Sequence, residues 1–181
     1  MRLSHFPQER EMTTAEISFQ WVPQPRPLAG RLVYVSSDYA IDFVIEPAVE
    51  KSEQALWDQG CSISLQTLEL HLSCQSRRVL FPRGYFPKTM WKPGTLPVPV
   101  SVAGEVYARA GDSFFAGVAR SLDEADEWTC VYDSTTGWLR FGGSQERSSS
   151  TWVEFASEAI LELNDGGAVA LWLHPTVVPG A

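Results

Sequence analysis

His71, Cys74 and Cys61 form the one His/Cys cluster of the sequence, and their side-chain types could hold a metal ion. Their spacing argues against it. On a strand, residues three apart point to opposite faces, so His71 and Cys74 cannot both grip one ion, and the pattern fits no tetrahedral zinc site. A second cluster, Asp123, Glu124, Asp126 and Glu127 with Asp133, offers paired carboxylates for acid–base work of the kind glycosidases use. Charge runs of this sort in turns are usually solvated. Cys130 lies in the alternating run Trp128-Thr129-Cys130-Val131-Tyr132, on the face of two aromatics, which reads as core rather than as a nucleophile. The chain contains no G-x-S-x-G elbow, no G-x-x-x-x-G-K-[ST] loop and no G-x-G-x-x-G turn. The expectation is a protein without catalytic residues, metal or cofactor.

Gly111-Asp112-Ser113-Phe114 resembles the Gly-Asp-Ser block of the GDSL-type esterases. That family carries its block near the N-terminus, after a buried strand, and pairs it with a late Asp-x-x-His. Here the block is mid-chain, and the residue three before His174 is Leu171. An Asx-turn between strands is the expected structure.

The stretch from 75 to 104 differs from the rest in composition. Pro82, Pro87, Pro93, Pro97 and Pro99 fall in it, with Gly84 and Gly94 between them. No acidic residue occurs between Glu69 and Glu105, whereas Arg77, Arg78, Arg83, Lys88 and Lys92 do, interleaved with Phe81, Tyr85, Phe86 and Trp91. Such a sequence predicts a long, semi-rigid loop or edge segment, with its body at about 75–99, rather than a central strand. Its residues Arg77, Arg78, Arg83, Tyr85, Phe86, Lys88 and Trp91 are candidates for partner contact, as are Asp123, Glu124, Asp126 and Glu127 of the acidic run. The competing reading is that its aromatics pack on a sheet while its basic heads offset nearby carboxylates. Nucleic acid is not the expected partner, because the whole chain carries a net charge of -8.

The elements that would position these residues are mostly strands. With 44% apolar and 20% charged residues in 181, one packed domain is expected, preceded by a flexible segment over 1–15. The three cysteines make a poor disulfide framework, no signal-peptide core follows Met1, and no apolar run is long enough to span a bilayer. These features predict a cytoplasmic location. Glu16 to Trp21 reads as a first short strand, followed by Pro23, Pro25 and Pro27. Arg31–Val35 and Tyr39–Ile45 read as a hairpin, with Tyr39, Ile41, Phe43 and Ile45 on one face and Asp42 on the other. Glu46–Gln59 is the best helical stretch, opened by Pro47 and stopped by Gly60. In 61–74 the period of two slips at Gln66-Thr67; a bulged strand is favoured over a helix.

Further along, Val98–Val102 and Glu105–Arg109 are expected to pair, and Phe114–Arg120 to form another strand. Leu122–Trp128 reads as an acidic turn or one helical turn. Trp128–Tyr132 with Trp138–Phe141, and Ala159–Leu163 with Ala168–Leu173, read as two hairpins, and Pro175 and Pro179 are expected to end the pairing. The predicted fold is mainly β: an antiparallel sandwich, or a strongly bent, partly closed sheet with one or two short helices.

The blocks Tyr132-Asp133-Ser134-Thr135-Thr136-Gly137-Trp138-Leu139-Arg140-Phe141-Gly142 and Val169-Ala170-Leu171-Trp172-Leu173-His174-Pro175 resemble small acidic bacterial toxin-immunity proteins. The resemblance covers under a quarter of the chain and carries over no functional residue. It implies a cytosolic, non-enzymatic protein that binds a toxin domain and blocks it. The alternatives are a small β-sandwich enzyme or carbohydrate-binding module that uses acidic and Trp residues, and a homo-oligomer that buries its Trp residues against a second copy.

Overall fold

The computed structural model describes residues 16–49, 60–111, 114–144 and 149–179. The expected flexible segment at 1–15 and most of the expected helix, 50–59, lie outside the described residues. Pro47, Ala48 and Val49 do begin a helical turn.

The chain is mainly β, and its mixed sheet is strongly curled and partly closed. β1 (Ser18–Pro23) lies against β8 (Val102–Arg109). β2 (Gly30–Val35) and β3 (Ala40–Ile45) form the expected hairpin, with Ile41 and Phe43 buried and Asp42 and Val44 exposed. β4 (Gly60–Leu65) and β5 (Leu68–Ser73) correct the bulged-strand expectation. The slip at Gln66-Thr67 is a chain reversal, with Gln66 at φ 58°, so that Leu65 faces Leu68 and Ile63 faces Leu70 across a hairpin. A two-residue turn and a bulge both break the period of two. Linear spacing does not separate them.

A second correction concerns β6 (Arg78–Tyr85), which was expected to be loop or edge and is an internal strand. β5 pairs along one side of it, and its other side meets β8 at Arg78-Val79 and β3 at Gly84-Tyr85. Pro82 falls between those two partners, where that side of the strand has no ladder. The curl of the sheet tolerates a proline because β8 and β3 diverge there.

After a 3-10 turn at Lys88–Met90 come β7 (Trp91–Pro93) and an irregular stretch to Ser101. Val98–Val102 therefore does not pair with Glu105–Arg109; Val102 opens the continuous strand β8. β9 (Ala119–Ser121) is all that is strand in Phe114–Arg120 and its flank, and Asp123–Glu127 is a 3-10 turn, as expected of the acidic run.

β10 (Thr129–Tyr132) and β11 (Leu139–Gly142) form the expected hairpin. So do β13 (Ala159–Asn164) and β14 (Gly167–Leu173), whose turn places Asp165 at φ 49° and Gly166 at φ 81°. β12 (Thr151–Ala156) was not anticipated, although Val153 and Phe155 alternate with Trp152 and Glu154. β15 (Thr176–Val178) pairs with β2 between the two prolines that were expected to end pairing. The sheet is mixed rather than antiparallel: β15·β2, β7·β10, β12·β8 and β4·β9 are parallel pairs.

The inward residues of distant strands meet in one core, which is why the sheet must curl. Leu32, Ile63, Leu70, Phe86, Phe141, Val153 and Leu161 belong to a single buried cluster. The C-terminal strands are buried on their second face too, where Leu96 from the irregular stretch packs on Ile160, Ala170 and Trp172. Among the described residues no helix is long and apolar enough to cross a membrane.

Candidate functional site

The basic–aromatic segment is dispersed by the fold. Arg77 occupies the turn before β6 at φ 63°, where its carbonyl accepts the Ala108 amide. The Arg78 guanidinium lies 3.1 Å from Glu105, whose other carboxylate oxygen accepts the Tyr107 hydroxyl at 2.6 Å. Arg83 sits 3.8 Å from Glu69 at the surface. Phe86 is fully buried, edge-on to Phe141. Trp91 packs edge-on to buried Tyr34, with the Lys88 ammonium 5.2 Å from the Tyr34 ring centre. Burial pushes the Tyr34 hydroxyl up, partly offset by the Lys88 backbone amide. Tyr85 stays exposed beside Tyr39. The structure thus gathers Phe86, Lys88 and Trp91 at one place and sends Arg77, Arg78 and Arg83 elsewhere.

The His/Cys cluster is likewise structural. Cys61 is buried, and burial, reinforced by the adjoining Cys74 thiol, pushes its thiol up to about 12. His71 stacks on Phe81 at 5.0 Å and over Gly60; burial first, then the Arg83 charge, lowers its pKa. Cys130 is core, its thiol raised to about 12 by burial. Neither cysteine is a thiolate nucleophile at neutral pH. Asp112 and Ser113 of the Gly-Asp-Ser block lie outside the described residues.

The five carboxylates separate into two roles. Asp133 is buried and accepts the amides of Leu96, Thr135 and Thr136, bonds that hold its carboxyl below the ordinary range. It ties the irregular stretch to the β10–β11 turn. Asp123, Glu124, Asp126 and Glu127 are all exposed on their 3-10 turn, and among the described residues none makes an ion pair. The turn itself is pinned from below, by buried Ala125 and by the Gln66 side chain, which donates to the carbonyls of Ala125, Asp126 and Trp128.

Ahead of this acidic turn, where Phe114–Arg120 was expected to form a strand, the chain is mostly an exposed loop. Phe115, Ala116, Gly117, Val118 and Ala119 are consecutively exposed, with Phe115 at 63% and Val118 at 49%. The chain turns there through Gly117 at φ 73°, and only Phe114 enters the core. The signal available was Gly117 in mid-run and the adjacent pair Phe114-Phe115, neither of which fits a period of two.

On two other surfaces the charged groups already have partners. A cleft of about 770 Å³ opens between Gln24–Ala29, Glu46–Val49 and the Arg78–Glu105 pair, and both Glu105 oxygens are engaged there. On the outer face of β11–β14, Glu162 accepts the Trp172 indole N–H at 3.0 Å and lies 3.6 Å from Arg140. Leu96 closes over Trp172, so no open Trp-lined groove forms at that position. Compared with protein-family models, curated proteins and solved structures, the chain matches none.

Proposed function

We propose that this chain is a non-enzymatic, cytoplasmic protein-binding domain of the immunity type, which neutralises a bacterial toxin domain by covering a basic site on it. The observation that carries the reading is the exposed apolar loop Phe115–Ala119 at one end of β9, with four exposed carboxylates that have no ion-pair partner among the described residues at its other end. A Phe at 63% exposure has most of its apolar area left to bury, and anchors of that kind dominate contact energies. The carboxylates supply long-range attraction to a basic partner, raising the encounter rate.

The test is co-expression with the product of the adjacent open reading frame, followed by calorimetry of the purified pair. The expected result is a one-to-one complex that weakens as salt rises, loses about tenfold in affinity on Phe115→Ala, and associates more slowly on Asp123→Lys with Glu127→Lys. The absence of a complex, or a complex indifferent to salt and to both variants, overturns the reading.

A further inference from the structure

We infer that β9 is a docking edge, which takes an extended basic segment of the partner protein as an added strand. This rests on the protein-binding reading above and names its mode.

Among the described residues, four strands end the sheet or its side branches: β15, β7, β9 and β1. Each is paired on one side and presents backbone on the other, and such edges are normally blunted. On the outer side of β1 the Phe19 amide already donates to the Gly166 carbonyl, while Pro23 has no N–H to offer. In β15 the bond from the Ser36 amide to the Val178 carbonyl fixes the alternation, leaving Val177 to face outward between Pro175 and Pro179. In β7 the bond from the Gly94 amide to the Tyr132 carbonyl directs Trp91 and Pro93 outward, and Pro93 has no N–H to offer. Both edges are closed by proline.

β9 has no such guard. Val118 accepts the Ser62 amide and the Leu122 amide reaches the Ser64 carbonyl, so the backbone groups of Val118, Arg120 and Leu122 turn toward β4. By the alternation of a parallel ladder, the N–H and C=O groups of Ala119 and Ser121 turn away from it. Among the described residues neither has a hydrogen-bond partner on that side, and both are exposed. Four unpaired backbone groups therefore stand in strand spacing, ready for two residues of an incoming strand.

The surroundings specify the partner segment. The carboxylates of the 3-10 turn follow β9 after a single residue, Leu122. Lys or Arg on the added strand would meet them, and an acidic segment would be repelled. At the other end of β9, Val118 and Phe115 offer apolar contact to a large side chain of the same strand. The occupant is a β-prone segment that alternates basic and apolar residues.

An array of short peptides alternating Lys or Arg with Val, Ile or Phe supplies the probes, measured against the full chain. The tightest binder is then compared with its Glu-for-Lys counterpart and with a form N-methylated at every second residue. Ser121→Pro removes the outward N–H without touching a bond to β4, as Pro93 does in β7. The expected results are amide NMR shifts at Ala119 and Ser121, a loss of about tenfold in affinity on Ser121→Pro and on N-methylation, and no binding of the Glu peptide. The N-methylated peptide keeps the test decisive if the proline variant unfolds the strand.

Absence of binding across the array, or affinity unchanged by both backbone blocks, overturns the edge pairing. If the backbone blocks have no effect while Phe115→Ala still weakens the natural complex, the protein-binding reading stands and the edge mode falls. Equal binding of the Glu peptide overturns the basic character of the segment.

Discussion

Residues 77–92 and 114–127 exchange the roles their compositions announce. The first is basic, aromatic and proline-rich, the profile of an exposed contact loop, yet Phe86 is sealed in the core and two of its arginines meet carboxylates. The second begins as an apolar run suited to a buried strand, yet five consecutive residues of it face solvent. The difference lies in what each segment finds to pair with. β6 has strands on both sides and buries Val79 to Pro82, whereas β9 has β4 alone and leaves its flank open. Exposure follows the number of sheet partners, with composition a secondary influence.

Substitutions in the two segments should therefore separate cleanly. Phe86→Ala is expected to cost about 3–5 kcal/mol, because the emptied space lies against Phe141 and Trp91 and cannot fill with water. Urea unfolding measures it, and a cost below about 1 kcal/mol would return Phe86 to the surface. Arg78→Ala comes next, at about 1–3 kcal/mol, since it leaves the Glu105 carboxylate half-buried with Tyr107 as its remaining partner. The double variant Arg78→Ala with Glu105→Ala should recover part of that loss if the pair is the cause.

Asp133 probes the attachment of the irregular stretch through pH. Its amide bonds hold the folded carboxyl below the ordinary value, so its contribution is complete above about pH 4 and disappears as pH falls through the lower folded value. The stability gap between the native chain and Asp133→Asn should shrink over that acidic window, and a gap independent of pH would refute the assignment. The smallest effect is expected at Phe115→Ser, within about 0.5 kcal/mol of the native stability in the same urea experiment. A cost comparable to that of Phe86→Ala would mean the exposed loop packs against something and would remove the contrast.

The sheet edges sharpen the same lesson. Prolines 93, 175 and 179 lie where a free edge would otherwise invite pairing. In sequence they read as ends of strands, and in the fold they act as guards. β9 lacks one, and it is flanked by four like charges that repel a second acidic copy of this chain. That arrangement discourages self-association while leaving room for a basic strand.

Local hairpins were legible from residues alone. Asn164-Asp165-Gly166-Gly167 requires positive φ at its centre, which Asp and Gly tolerate, and the alternation on both sides sets the register. The β2–β3 and β10–β11 hairpins were readable for the same reason, and so was the exposed acidic turn. What only the tertiary structure decided was which strands became neighbours across long separations. β12 joins β8 and β15 joins β2 in parallel, pairings that no adjacent turn announces. Those choices place Pro82 in a gap between partners, bury Phe86 and leave β9 with a bare edge. The physical reason is that a strand's own sequence sets which side chains share a face, while its backbone bonds are satisfied by whichever segment the closing core brings alongside.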